Sequence, residues 1–356
     1  MEASQAMAEG LRQSGLECSI TQFPIADGGN DTMELLTNLM GGTFIQTRVH
    51  NPLGEPIICR YGWVPHRKTG IIGVSEASGI HLLQRNNVMH ANTFGTGQQV
   101  SDALEHGATT IIIGVGGSAT TDGGCGILRA LGIKFYDAEQ KEITHLPKGL
   151  LSLKYIDDNG LNQQANACRF IVLCDVDNHL LGKNGAAQIY APQKGATQEE
   201  VQNLEKCLKN WNRNTLAHRD IDMSKLKYGG AAGGVSAGLH AWLHAQLING
   251  TDYFLDAFNF DRLIKKANYI FTGEGQIDYQ TLKGKGPLGV ALRAKEAGIP
   301  VVAFCGTARD KENLAGFDEI IEINRSTDIV REMKHTKENL VSAVKLWAEN
   351  LVNNRG

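Results

Sequence analysis

Apolar and polar positions in the stretch 1–42 alternate between a helical and an extended spacing. Apolar residues recur at helical spacing across residues 2–15 and again across residues 31–40, and glycines follow both segments as stop signals. Between them, residues 18–25 carry the apolar and β-branched pattern of a strand. The pattern therefore predicts the order helix, strand, helix.

From residue 43 onward the pattern changes to a series of extended pieces. Residues 44–50, 57–65 and 69–75 are rich in β-branched and aromatic side chains, and turn residues such as Asn51 and Gly54 separate them. Three short strands joined by short turns predict an antiparallel meander.

Strand and helix patterns then alternate to the end of the chain, which is typical of a parallel α/β sheet. The predicted helices are 97–106, 125–131, 198–218, 287–297 and 336–352, and the predicted strands are 109–115, 170–174, 269–272, 300–305 and 319–323.

These patterns predict the fold class α/β, with a flavodoxin-like parallel-sheet domain formed by both chain ends and a second, mixed α/β domain inserted. We expect the first domain to comprise residues 1–42 and 246–356, and the inserted domain residues 43–245. Insertion is physically easy because loop ends lie at the surface. We expect the active site in the cleft between the two domains.

Composition excludes several classes of protein. Charged residues make up 21% of the chain and the formal net charge is −3, which argues against intrinsic disorder and against a nucleic-acid-binding surface. The apolar runs are shorter than the ~18–20 residues of a membrane helix, and the first residues lack the pattern of a secretory signal. We expect small-molecule ligands and no membrane or nucleic-acid partner, with the oligomeric state open.

The cysteines and histidines show no strong metal or disulfide pattern. The 7 cysteines include no Cys-x-x-Cys pair, so we expect reduced, mostly buried thiols in a cytoplasmic protein. His240 and His244 stand four residues apart, a spacing compatible either with a metal on a helix face or with a plain helix surface.

Many of the 41 glycines fall in four loops that follow predicted strands. Loop one is residues 26–32, loop two is 114–124, loop three is 175–178 with 191–195, and loop four is 272–278 with 283–286. Glycine allows close approach of backbone to a ligand, and in open α/β sheets ligands bind beyond the carboxyl ends of the strands.

The polar residues of these loops suit phosphoryl transfer. Backbone N–H groups bind phosphate oxygens, carboxylates supply oxygen ligands for Mg²⁺, and lysine supplies positive charge for the transferring group. Loop two is neither a Walker A loop nor a well-spaced dinucleotide fingerprint. Each loop is also compatible with a structural turn, the loop-three carboxylates with capping, and Lys194 with a solvated lysine.

Several motifs resemble the bacterial glycerate kinase family of the first type, across nearly the whole chain. The most specific strings are Gly-Gly-Ser-Ala-Thr-Thr-Asp-Gly-Gly at 116–124 and Pro-Gln-Lys-Gly-Ala at 192–196. Others are Pro-Ile-Ala-Asp-Gly-Gly at 24–29, Glu-Ala-Ser-Gly at 76–79, Thr-Phe-Gly-Thr-Gly at 93–97, Cys-Asp-Val-Asp-Asn at 174–178 and Thr-Gly-Glu-Gly-Gln-Ile-Asp at 272–278.

The resemblance implies ATP-dependent phosphorylation of D-glycerate, usually at the 2-hydroxyl, with Mg²⁺. It also implies a flavodoxin-like domain that carries an inserted α/β domain.

If the chain is a kinase of this family, roles follow for individual residues of the site. We expect Asp175 and Asp177 to bind Mg²⁺, and Asp27, Asp122 or Glu274 to accept the proton of the attacking hydroxyl. Lys194 and Lys285 are candidates for the β- and γ-phosphates. The other residues expected to bind substrate or phosphate are Gly116, Gly117, Ser118, Thr120, Thr121, Gly273 and Lys283.

The chain departs from the family pattern in two places. Asn30 stands where the family usually carries an acidic residue, and Asp31 follows it. The family begins with a strand and an Ala-Pro-Asp-Ser-Phe-Lys loop ahead of the helix that opens this chain. In a flavodoxin-like strand order this strand is the central one, so we expect a chain extended upstream by it to be more stable and more active.

Three hypotheses for the function follow. The first is an active glycerate kinase, and the second is a non-catalytic relative that binds a nucleotide or a small acid. A nicotinamide-dependent oxidoreductase is the third, and the missing fingerprint argues against it. The choice between the 2- and 3-hydroxyl and the nucleotide preference stay open.

Overall fold

The computed structural model describes residues 2–29, 31–84, 87–277, 286–309, 316–326, 332 and 334–353. Its helices are α1 (Glu2–Gln13), α2 (Thr32–Leu39), α3 (Val74–Ser78), α4 (Phe94–Glu105), α5 (Cys125–Ala130), α6 (Gln163–Ala167), α7 (Ala186–Tyr190), α8 (Gln198–Arg219), α9 (Ala231–Leu243), α10 (Gly250–Ala257), α11 (Phe260–Ile264), α12 (Gly286–Glu296) and α13 (Thr336–Asn353). Its strands are β1 (Thr43–His50), β2 (Pro56–Val64), β3 (Thr69–Gly73), β4 (Thr110–Gly114), β5 (Lys134–Tyr136), β6 (Tyr155–Asp157), β7 (Arg169–Cys174), β8 (Gln246–Asn249), β9 (Ile270–Ile277), β10 (Val301–Ala308) and β11 (Glu319–Glu322).

The chain divides into two compact units. Unit 1 comprises residues 1–25 and 251–356, and unit 2 comprises residues 26–250. The predicted α/β class is confirmed, with a parallel-sheet unit formed by both chain ends and a mixed unit inserted between its two segments.

Unit 2 is built on a six-stranded sheet with the order β1-β2-β3-β4-β7-β8. The first three strands form the predicted antiparallel meander, and β3, β4, β7 and β8 are parallel to one another. All residues of β3 are buried, as are nearly all of β4 and β7, because helices cover both faces of a parallel sheet. A separate hairpin pairs β5 with β6.

The long helix α8 shows how local sequence signals set the elements of unit 2. It begins with a capping box, in which the Thr197 hydroxyl accepts from the Glu200 N–H and the Glu200 carboxylate accepts from the Thr197 N–H. Its buried face carries Trp211, which stacks on Trp242 of α9 with ring centroids 5.6 Å apart. The rest of the helix is polar, as the sequence predicted.

Unit 1 contains a parallel sheet with the order β11-β10-β9. Successive residues of β10 belong to different apolar clusters: Val301 packs with α12, whereas Val302 packs with α1 and α13. The helices α1 and α13 approach closely at Gly10, where an added Cβ would lie 2.6 Å from the Val341 carbonyl oxygen. Both chain ends therefore contribute to one core.

Two predicted strands differ from the structure. Residues 18–25 form no strand, because no described strand pairs with them, and most of their side chains are exposed or half-buried. The strand predicted for residues 269–272 continues to Ile277, because β10 offers pairing partners along its whole length. Gly273 and Glu274, expected in a loop, lie inside this strand.

The unit boundaries also differ from those expected at residues 42/43 and 245/246. Helix α2 packs on β2 of unit 2, where the Cβ that Gly62 lacks would overlap the Thr37 side chain. Strand β8 pairs with β7 in the same unit. Residues 26–42 and 246–250 therefore belong to unit 2.

The alternative of a metal site at His240 and His244 loses support. His244 follows the last residue of α9 with a left-handed φ of 53°, so it does not share a helical face with His240. Within the described ranges, no group of three or more His, Cys, Asp or Glu side chains has a metal-binding arrangement. In that part of the chain no helix has both the length and the apolar character to cross a membrane.

We expect Gly62→Ala to destabilise unit 2 by about 1–3 kcal/mol, because the new methyl group would overpack the contact between β2 and α2. Urea denaturation measures this loss. The control is Gly73→Ala in β3, where an added Cβ would have its nearest neighbour at 3.4 Å. Thr37→Ala should restore part of the loss in the double variant, and additive losses would contradict the predicted contact.

Candidate active site

Loop one lies across the carboxyl end of β7. Gly28 has a φ of 102°, and a Cβ there would lie 2.6 Å from the Leu173 carbonyl oxygen. The Gly28 carbonyl accepts from the Gly116 N–H at 3.0 Å, which joins loop one to loop two. Asp27 is half-buried, and its Oδ1 accepts from the Gly29 N–H at 3.0 Å. Only a glycine fits at position 28, since the backbones meet there without room for a side chain.

Loop two is held in place by residues 78–80. The Ala119 N–H donates to the Ser78 carbonyl at 2.9 Å, and the Ile80 N–H donates to the Gly117 carbonyl at 3.0 Å. Within the loop, the hydroxyls of Ser118 and Thr120 share a hydrogen bond of 2.8 Å. These bonds leave the N–H groups of Gly117 and Ser118 without a partner among the described residues. Gly117 is exposed, so its N–H is available to a ligand.

Asp122 is fully buried at the centre of loop two. Its carboxylate accepts from the Thr93 N–H at 2.9 Å and the Thr93 hydroxyl at 2.8 Å. It also accepts from the N–H groups of Gly126 at 3.0 Å and Gly124 at 3.1 Å. Burial raises the pKa of Asp122, and the hydrogen bonds from Thr93 and the two glycines oppose part of this rise.

These bonds occupy the N-terminus of α5, the helix that follows loop two. The Gly126 N–H is used by Asp122, and the Ile127 N–H donates to the Thr93 hydroxyl at 3.1 Å. The carboxylate already takes the place that a bound anion would have at a helix start. The donors left in loop two lie earlier, at Gly117 and Ser118.

Lys194 is buried beside loop two. Its side chain is 4% exposed, and its Nζ donates to the Thr120 carbonyl at 2.5 Å. Burial lowers the pKa of Lys194 to about 8, and the charge of Asp122 opposes this effect. The buried hydroxyl of the adjacent Thr121 has no hydrogen-bond partner among the described residues. The solvated-lysine alternative is therefore wrong.

Loop three carries two carboxylates directly after β7. Asp175 is half-buried and Asp177 is exposed. Burial, followed by the charges of Asp175 and Asp177, raises the pKa of Tyr190, so both carboxylates lie near one phenol. Asn178 fixes the end of this loop, because its Oδ1 accepts from the Tyr190 hydroxyl at 2.5 Å and its carbonyl accepts from the Gly230 N–H at 2.8 Å.

The structure brings loops one, two and three together in unit 2. Gly28 contacts β7, Gly116 contacts Gly28, and Lys194 contacts loop two. Gly273 and Glu274 lie in β9 of unit 1. Lys283 and Lys285 lie outside the described residues, as does Asn30.

Two groups of residues near these loops were not assigned from the sequence. Thr93 anchors Asp122, although its motif was noted only for the resemblance. The start of α9 packs on loop two: the Gly233 carbonyl accepts from the Gly123 N–H at 3.0 Å, and a Cβ on Gly233 would overlap the Thr120 backbone. The run Gly-Gly-Ala-Ala-Gly-Gly at 229–234 was the signal for this contact.

The chain is similar to known proteins along nearly its whole length. The sequence profile of the glycerate kinase family matches residues 1–352. A glycerate kinase of Halalkalibacterium halodurans is 38% identical over 309 residues, which cover 86% of this chain and 81% of that protein. A glycerate 2-kinase of Escherichia coli is 36% identical over 336 residues, which cover 93% of this chain and 88% of that protein.

A solved structure shares the fold. It is a Salmonella typhimurium LT2 protein whose assignment as glycerate kinase 2 is provisional. The TM-score is 0.83 at 33% sequence identity, and the match covers 99% of this chain and 93% of that chain.

Fold and site together define a class: an α/β enzyme with glycine-rich loops at the carboxyl ends of parallel strands, beside a buried lysine. The chain belongs to the glycerate kinase family. It is a kinase, a phosphotransferase with an alcohol group as acceptor.

We expect Thr93→Val to lower the free energy of unfolding by about 1–3 kcal/mol, because it leaves the Asp122 carboxylate and the Ile127 N–H short of one partner each. Thr93→Ser keeps the hydroxyl and should lose far less. Urea denaturation of both variants measures the difference. Equal losses in the two variants would contradict the predicted weight of the hydroxyl, because Thr93→Ser keeps it.

Proposed function

We propose that this kinase transfers the γ-phosphoryl group of ATP to the 2-hydroxyl of D-glycerate, which gives 2-phospho-D-glycerate and ADP. The observation that carries the proposal is the meeting of loops one, two and three in unit 2, with the buried Lys194 of loop three in contact with loop two. The name of the Escherichia coli relative, glycerate 2-kinase, supports the choice of the 2-hydroxyl.

Loop two supplies backbone donors for an anion. The N–H groups of Gly117 and Ser118 have no partner among the described residues, and Gly117 is exposed. A phosphate oxygen or the glycerate carboxylate satisfies such donors. Lys194 contacts the same loop, because its Nζ donates to the Thr120 carbonyl. Its positive charge favours the transferring phosphoryl group. Because Lys194 is buried, water screens its charge less, and its attraction for the phosphoryl group is stronger.

Asp175 and Asp177 fit a Mg²⁺ ion. Both carboxylates lie near the Tyr190 phenol, and Asp177 is open to solvent. The described residues offer no larger cluster of metal ligands. Mg²⁺ usually binds through one or two carboxylates together with substrate phosphates and water, so two carboxylates suffice. Bound there, the ion would neutralise negative charge on the phosphates.

The proton of the attacking hydroxyl needs an acceptor, and Asp27 and Glu274 stay candidates for this role. Asp27 lies half-buried in loop one, where one of its carboxylate oxygens accepts a hydrogen bond from the Gly29 N–H. Asp122 was the third candidate, and its four hydrogen bonds favour a different role: it holds loop two in shape. In the proposed step the substrate oxygen bonds to the γ-phosphorus, its proton passes to the carboxylate, and ADP leaves.

The seven free cysteines, six of them buried, fit a reducing compartment such as the cytoplasm.

The test is a reaction of the full chain with D-glycerate, ATP and Mg²⁺, followed by ³¹P NMR of the products. The proposal expects ADP and 2-phospho-D-glycerate in equal amounts. Formation of 3-phospho-D-glycerate would overturn the choice of hydroxyl. Binding of ATP without release of ADP would favour the non-catalytic alternative.

We expect Asp175→Asn and Asp177→Asn each to raise the Mg²⁺ concentration needed for half-maximal rate about tenfold or more, because each removes a charged oxygen ligand. The thermal midpoint should change little for the exposed Asp177. The matched control is Asp220→Asn, an exposed left-handed position where asparagine fits well. Full activity of both variants at low Mg²⁺ would remove the metal role.

We expect Lys194→Met to lower kcat about 10²–10³-fold, since the variant keeps the apolar stem but loses the charge that stabilises the transition state. Because burial lowers the pKa of Lys194 to about 8, the wild-type kcat/KM should be full below pH 8 and fall as the lysine deprotonates above it.

The control for this experiment is Lys225→Met, because the Lys225 side chain is 82% exposed. It should keep both the rate and the alkaline fall. If Lys194→Met raises only the KM for ATP and leaves kcat unchanged, Lys194 binds nucleotide without acting on the transition state.

A further inference from the structure

Unit 2 contains a cavity of about 310 Å³ that shares no residue with loops one to three. It lies beside the turn between β1 and β2, the first residue of α4 and the last turn of α5. We call it the histidine pocket, because His50, His90 and His145 line it together with Arg129. Three imidazoles and a guanidinium around one small cavity offer several hydrogen-bonding nitrogens, and the guanidinium adds a positive charge that attracts an anion.

The guanidinium of Arg129 makes few hydrogen bonds with the described residues. Its Nε is buried and has no hydrogen-bond partner among the described residues. The nearest carboxylate oxygen, on Glu142, is 3.9 Å from Nε, and the single hydrogen bond from Nη1 to the Thr144 carbonyl is 3.4 Å long. The guanidinium carbon lies 5.3 Å from the centroid of the Phe94 ring. A guanidinium has five N–H donors, so most of its capacity is unused here.

The histidines offer further hydrogen-bonding groups. Among the described residues, no hydrogen-bond partner contacts the ring nitrogens of His90 or His145, and both residues are exposed. His50 Nδ1 lies 2.9 Å from Gln98 Oε1, which also accepts from the His50 N–H. That oxygen is an acceptor, so His50 Nδ1 donates to it, and a second ring proton on Nε2 would be needed before His50 could donate to an anion.

The two asparagine side chains of the pocket, Asn51 and Asn92, are already paired. Asn51 donates to Glu55 at 2.8 Å and accepts from the N–H groups of Leu53 and Glu55. Asn92 donates to two carbonyls and accepts from the Phe94 N–H. The carboxylate of Glu55 is therefore engaged with Asn51, and Glu142 is the other acid near the pocket. Apolar lining comes from Leu53, Phe94 and Leu146.

We propose that the histidine pocket is a second ligand site of this protein, which binds a small organic anion: a carboxylate or phosphate group on Arg129, His90 and His145, with a short apolar part against Leu53 and Leu146. This site is separate from the proposed phosphoryl-transfer site, since the two share no residue. A ligand of this size fits, because cavities near 300 Å³ are the lower end of small-molecule pockets.

The experiment follows the Cε1 protons of His90 and His145 by NMR in the full chain. The two resonances are assigned with His90→Asn and His145→Asn. Propionate and methyl phosphate are titrated separately, which distinguishes a carboxylate from a phosphate ligand. We expect at least one probe to shift both resonances along one saturable curve.

Arg129→Gln should weaken that binding about tenfold or more, since it removes the charge that pairs with the anion. The matched control is Arg213→Gln, an exposed arginine of α8 that donates to Asn210, and it should leave the affinity unchanged. If Arg129→Gln does not fold, the double variant His90→Asn/His145→Asn, probed by calorimetry, replaces it. Absence of saturable shifts with both probes, or equal affinity in wild type and variants, would overturn the proposal.

Discussion

A single buried carboxylate sets the shape of the loops around the candidate active site. Asp122 has no access to water, so its charge must be met by protein donors. Thr93 supplies two hydrogen bonds, and the N–H groups of Gly124 and Gly126 supply two more. The carboxylate thus joins the starts of α4 and α5 to loop two. Any displacement of one helix start would leave a buried charge short of partners.

The remaining loop geometry follows from parallel strands that end at one edge of a sheet. Since β4 and β7 are neighbours, the loops at their carboxyl ends lie side by side. Glycines at positions 28 and 233 allow neighbouring backbone segments to meet there. The backbone donors of Gly117 and the charge of Lys194 are held by this packing before any ligand arrives. Donors that are already in position do not have to move when charge develops in the transition state. Such preorganised donors are the usual source of electrostatic stabilisation in catalysis.

The sequence predicted most elements, and its errors about them have physical causes. The alternating pattern located the meander and the helices because local spacing encodes them. It missed that residues 18–25 form no strand, since pairing partners come from elsewhere in the chain. The surroundings of Asp122 could not be predicted, because sequence shows that an acid is present but not that Thr93 and two glycines donate to it.

The discontinuity of unit 1 bears on how the chain folds during synthesis. All segments of unit 2 lie within residues 26–250, so its core can close as soon as β8 has emerged. Helix α1 is made before unit 2, yet its apolar face packs on α13, which is made after unit 2. Until α13 is made, that face stays exposed to water and to other chains. Unit 1 therefore completes its core only after α1 and α13 have packed together. A molecular chaperone that covers exposed apolar surface is needed most during this interval.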